Sequence, residues 1–163
     1  MAATTSPATQ PNERTVAITR VFDAPRELVW KAWTDPKHMA QWWGPQGFTN
    51  PVCEIDVRPG GALRIVMRAP DGAEYPMKGV FREVLQPERL VFTNIAVDTG
   101  GNHLLEGVTK VTLEEHGGKT KLTLQAHAVA LVADAARMLE GMQAGWTQSL
   151  DRLEAHMKRI LRC

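Results

Sequence analysis

From Val132 to Leu161 an apolar residue returns every three or four positions: Val132, Ala135 and Ala136, Leu139, Met142, Trp146, Leu150, Leu153, Met157, Ile160 and Leu161. Between them stand Asp134, Arg137, Glu140, Gln143, Arg152, Lys158 and Arg159. That period predicts one amphipathic helix of about 30 residues, on the order of 45 Å long at 1.5 Å per residue. Acidic Asp134 and Glu140 come early and basic Lys158, Arg159 and Arg162 late, as the helix macrodipole favours. A stripe of this length has to be buried against a surface to match.

The rest of the chain supplies that surface. Residues 1–14 are Ala, Thr, Pro and polar residues without periodicity and read as a flexible tail. Order is expected from Thr15, with a first strand on Val16, Ile18, Val21 and Phe22. Asp23-Ala24-Pro25 opens a short helix, with Asp23 or Ala24 near the cap and Pro25 in the first turn. Thr34-Asp35-Pro36 opens a second, closed by Gly44-Pro45. From Phe48 to Val129 the period becomes two. Val52–Val57, then Leu63, Ile65 and Met67, then Met77, Gly79 and Phe81 lead to Arg89–Ala96, to Val111 with Leu113, and to Leu122, Leu124 and Ala126. Pro70-Asp71-Gly72, Gln86-Pro87-Glu88, Gly100-Gly101 and Gly117-Gly118 punctuate these strands. Connections so short leave no room for crossover helices, so the strands should form an antiparallel meander with one apolar face. The expected class is α+β in the order β-α-α-β6-α: a curved seven-stranded antiparallel sheet around the long C-terminal helix, one domain over residues 15–163.

Composition narrows the function classes. Nineteen Lys and Arg against 18 Asp and Glu leave a formal charge of +1, without the basic excess of a nucleic-acid binder. No apolar run approaches the roughly 20 residues that cross a bilayer, and the first residues lack the pattern of a secretory signal. Cys53 and Cys163 are far apart and form no CxxC or CxxH spacing, so a reducing cytoplasm is the expected compartment.

Several motifs together resemble a known family. Val21-Phe22-Asp23-Ala24-Pro25 followed by Val29-Trp30-Lys31-Ala32-Trp33-Thr34-Asp35-Pro36 is similar to the opening of the START-like, Bet-v-allergen-like helix-grip superfamily. Trp42-Trp43-Gly44-Pro45, Asp56-Val57-Arg58-Pro59-Gly60-Gly61, Gly79 with Gln86-Pro87-Glu88-Arg89-Leu90, and Gly141-Met142 with Gly145-Trp146 resemble its branch named after the C-terminal domain of the activator of heat-shock protein 90 ATPase. The resemblance spans about residues 15–162 and implies a sheet gripping the last helix around an internal cavity. The superfamily includes lipid carriers, polyketide cyclases and hormone receptors, so it implies no single activity. The co-chaperone of that name depends on a further N-terminal domain for ATPase stimulation. Here a short tail stands ahead of the matching residues, so a chaperone partner ranks behind a small apolar ligand.

Chemistry-bearing motifs are sparse. The two serines, Ser6 and Ser149, lie outside any GxSxG elbow. Phosphate-loop and GxGxxG patterns are missing, and His38, His103, His116, His127 and His156 show no HxH or HExxH spacing. No cofactor and no metal are therefore expected. Cys53, mid-strand, reads as a small core residue. Glu54 and Asp56, with Arg58 and Arg64 near, read as ion pairs on the wet face. The candidate cavity wall is Trp43, Phe48, Leu63, Ile65, Met67, Met77, Phe81, Phe92, Met138, Met142 and Trp146, with Tyr75, Asn94 and Thr109 as polar groups that orient a ligand. Gly141 and Gly145 are expected to lower the helix wall. His103 and Glu106 are the only acid–base candidates. Three functions follow in order: a binding module for a small hydrophobic or amphipathic molecule; a stress-related interaction protein, as a chaperone helper or a homodimer; and a cyclase- or hydrolase-type enzyme.

Overall fold

Turn chemistry decides where each strand ends. Gly117 and Gly118 both take positive φ (60° and 84°), the geometry of a tight type I′ hairpin, and His116 pairs directly with Lys119 across it. The computed structural model describes residues 12–162; residues 1–11 of the tail expected over 1–14, with Ser6, lie outside them, as does Cys163. Seven strands form one sheet: β1 (Glu13–Phe22), β2 (Thr49–Ile55), β3 (Ala62–Arg68), β4 (Glu74–Leu85), β5 (Arg89–Val97), β6 (His103–His116) and β7 (Lys119–Ala130). Their order is β1-β7-β6-β5-β4-β3-β2, antiparallel throughout. Strands β2 to β7 form a meander, and β1 closes it on the far side of β7. Bulges between Thr49 and Val52, Phe81 and Glu83, and Ala96 and Val97 add curvature.

Between β1 and β2 stand α1 (Arg26–Thr34) and α2 (Pro36–Trp42). The chain ends on a 3-10 turn at Ala133–Ala135, a short α3 (Ala136–Glu140) and α4 (Met142–Arg162). The concave face of the sheet holds α4. Phe22, Leu63, Ile65, Phe81, Leu90, Phe92, Leu122 and Leu124 are buried with Leu150, Leu153 and Met157 of α4, and with Trp33 and Trp42 of α1 and α2. Arg20 of β1 reaches Asp151 at 2.7 Å and Glu154 at 3.8 Å, tying the edge strand to α4. No helix among the described residues is long and apolar enough to cross a membrane.

Three local expectations need correction. The terminal helix is not one rod: it breaks at Gly141, which ends α3 with its N–H bonded to Arg137 O. Glycine's low helix propensity favours the interruption there. The first strand starts at Glu13, because Glu13 and Arg14 pair with Val129 and Ala128 of the longer β7. Pro25 itself holds the cap position of α1, without a side-chain cap bond. The second helix starts as expected: Asp35 accepts from Lys37 N at 2.9 Å with Pro36 in first place.

Candidate functional site

Side-chain size along the concave face decides where space remains. On β7 the inward residues run Leu122, Leu124, Ala126, Ala128, Ala130, and on β6 they run Leu113, Val111, Thr109, Gly107, Leu105. Leu122 faces Leu113 and Leu124 faces Val111, so that end is filled; Ala126 faces Thr109 and Ala128 faces Gly107, so the other end is shallow. Above the shallow end lies a cavity of about 220 Å³. Met67 and Met77 bound it from β3 and β4, Met138 and Met142 from α3 and α4, and Trp43 and Trp146 from the two helical layers.

A glycine one turn after the break at Gly141 opens the roof. Gly145 lines the cavity, and a Cβ built on it would meet nothing within 4 Å. The side wall is the turn after α2. Gly44 takes φ +97°, and a Cβ there would come within 2.9 Å of Met67 Sδ. Arg152 of α4 holds this turn. Its Nη1 donates to the carbonyls of Trp43, Gly44 and Pro45 at 3.0, 3.0 and 2.9 Å, and its Nη2 to Gln41 O at 3.2 Å. One guanidinium thus bonds Gln41 O in the last turn of α2 and three carbonyls of the turn that follows, where it opposes the negative end of the helix dipole. Burial, and then the charge of Arg159, hold its pKa below the ordinary arginine value. Asn50 Nδ2 adds bonds to Ala40 O at 3.0 Å and Trp43 O at 2.8 Å. Trp33 packs behind the wall, nearly parallel to Trp146 at 6.3 Å and edge-on to Trp43 at 6.5 Å.

The polar floor is small. Thr109 Oγ1 donates to Asn94 Oδ1 at 2.7 Å, and Asn94 Nδ2 approaches Met77 Sδ at 3.5 Å. Ser149, also on the lining, donates its hydroxyl back to Gly145 O at 2.9 Å. Among the described residues, no Asp, Glu, Lys or Arg bounds the space. Of the sequence candidates, the fold brings Trp43, Met67, Met77, Asn94, Thr109, Met138, Met142 and Trp146 together around it. Leu63, Ile65, Phe81 and Phe92 are instead packed in the core and do not bound the cavity. Phe48 and the exposed Tyr75 meet each other, ring centroids 6.0 Å apart, and neither bounds the cavity. Sequence reasoning passed over the small floor residues Gly107, Ala126 and Ala128 and the clamp at Arg152. The signal for the floor was available: the inward half of Ala126-His127-Ala128-Val129-Ala130 is alanine alone.

The acid–base candidates lie elsewhere. His103 Nδ1 and Glu106 Oε2 are 3.0 Å apart at the surface, and neither lines the cavity. Cys53 is half-buried, and burial, helped by the charge of Glu54, pushes its thiol up to about 11, so it stays protonated at neutral pH. Glu54–Arg64 and Asp56–Arg58 are exposed ion pairs at 3.4 and 2.8 Å. A different pair joins α2 to α4: His38 Nδ1 and His156 Nε2 lie 2.9 Å apart. Arg159 Nη2 donates to His156 Nδ1 at 3.3 Å, which puts the His156 proton on Nε2 and makes His38 the acceptor. Burial, then His38, then Arg159 depress the pKa of His156 to about 4.

The family model described as Activator of Hsp90 ATPase homolog 1-like protein matches residues 23–158. A solved protein of Chromobacterium violaceum is 30% identical with a TM-score of 0.75, the match covering 91% of this chain and 98% of that one. The AHSA1 protein of Silicibacter pomeroyi is 25% identical with a TM-score of 0.72, covering 92% and 100%. A protein of Mycobacterium smegmatis is 26% identical with a TM-score of 0.71, covering 90% of each chain. Among curated proteins no sequence matches.

Proposed function

Because the chain belongs to the Activator of Hsp90 ATPase homolog 1-like family, we propose that it acts as a binding protein for a small hydrophobic or amphipathic molecule held between the sheet and α4. The observation that carries this reading is the cavity of about 220 Å³ with four methionines and two tryptophans on its walls. A ligand that covers such walls gains about 25 cal/mol for each Å² of apolar surface taken out of water. Methionine side chains repack at little cost around different shapes, which suits a container more than a rigid core. The reading assigns no chemistry to His103 and Glu106, which engage each other outside the cavity. It assumes the cytoplasm, on the strength of two cysteines with no disulfide-like spacing.

Native mass spectrometry of gently purified protein tests the reading. A retained small molecule is expected, or, on stripped protein, saturable uptake of an apolar probe. Protein that carries no extra mass and takes up no apolar probe would refute it.

A further inference from the structure

The floor of the cavity carries information about ligand polarity. Thr109 is buried, and its hydroxyl proton goes to Asn94 Oδ1 at 2.7 Å. The two are not ladder partners, since Thr109 faces Phe92 and Asn94 faces Gly107, so the bond runs diagonally from β6 to β5. It engages the amide's acceptor and leaves the NH₂ as the end with capacity to spare. Among the described residues the only partner of Asn94 Nδ2 is Met77 Sδ at 3.5 Å, and a thioether is a weak acceptor for one of two N–H groups. Asn94 and Met77 both line the space, so the underused donor stands at its wall. Among the described residues, no Asp, Glu, Lys or Arg accompanies it on the lining. Among the described residues, the one titratable group on the lining is His127, which is exposed and has Nδ1 3.0 Å from Thr15 Oγ1.

We propose that the cavity selects neutral molecules with an apolar body and a single hydrogen-bond acceptor, such as a ketone or ester carbonyl, docked on Asn94 Nδ2. This rests on the cavity-binding reading above and adds the chemistry of the ligand. A carboxylate would enter without a counter-ion and lose its hydration. A hydrocarbon would leave the amide donor against sulfur alone. A carbonyl replaces that weak contact with an N–H···O bond, whose net worth in water corresponds to about tenfold in affinity.

Three one-ring probes of similar size separate these cases: acetophenone, isopropylbenzene and benzoate, titrated into the full chain at neutral pH and followed by the indole NMR signals of Trp43 and Trp146. Acetophenone should bind about tenfold more tightly than isopropylbenzene, with benzoate weakest. Its carbonyl stretch should shift to lower frequency when bound. In Asn94→Leu the ketone-to-hydrocarbon ratio should fall to about one, and Thr109→Val, which releases the amide, should narrow it. Equal affinities for ketone and hydrocarbon in the unaltered chain would overturn the acceptor rule while leaving the cavity reading standing. So would an unchanged ratio in Asn94→Leu. Silence from all three probes would overturn both.

Discussion

Gly145 shows how much a single residue can report. In the first turn of α4 a glycine costs roughly 1 kcal/mol against alanine, yet nothing occupies the space its missing Cβ leaves. Gly145→Ala should therefore raise stability by up to about 1 kcal/mol in urea unfolding, while Gly145→Leu should keep the fold and abolish uptake of an apolar probe. A Gly145→Leu protein that binds the probe unchanged would move the site elsewhere. His156 allows a second prediction at this scale. Its folded pKa of about 4 lies below the unfolded value near 6.5, so the unfolded chain takes up the proton first. The contribution is complete above pH 6.5 and is lost as pH falls toward 4, up to about 3 kcal/mol. His156→Gln can still donate to His38 but does not titrate, so its urea midpoint should fall less than that of the unaltered chain between pH 6.5 and 4.5. Parallel curves would refute the assignment.

At the level of elements, the decisive contact joins α4 to the end of α2. Both helices were legible from Asp35-Pro36, Gly44-Pro45 and the apolar period of the C-terminal stretch, because capping and amphipathicity are local properties. The contact between them was not, because Arg152 looks like any polar-face residue until the fold brings four carbonyls to it. Arg152→Met should cost about 3 kcal/mol in chemical unfolding through unbonded carbonyls. It should also weaken ligand uptake, since Trp43, Gly44 and Pro45 bound the cavity. Arg152→Lys, with one ammonium in place of a fork, should fall between the two. If Arg152→Met were as stable as the parent, the clamp would be incidental. The break at Gly141 is a similar case: the apolar period runs through it, so periodicity alone predicts one unbroken helix.

For the whole molecule, binding and folding are linked. A ligand that occupies only the folded state adds about 2.7 kcal/mol at one hundred times its dissociation constant, which for a chain of this size raises Tm by several degrees. A thermal scan with acetophenone at that excess should show the rise, and Gly145→Leu should not. An equal rise in both proteins would mean that the ligand sits outside the cavity.

The element order, the seven strands, the antiparallel sense and the burial of the last helix follow from periodicity and turn residues that any one segment carries by itself. Space does not work that way. The cavity is the difference between what β3 to β7, α3 and α4 supply and what they fill, and Leu63, Ile65, Phe81 and Phe92 are as apolar as Met67, Met77 and Met142. Tertiary structure alone decided which of these pack solidly and which face an opening, because volume is summed over residues far apart in the chain.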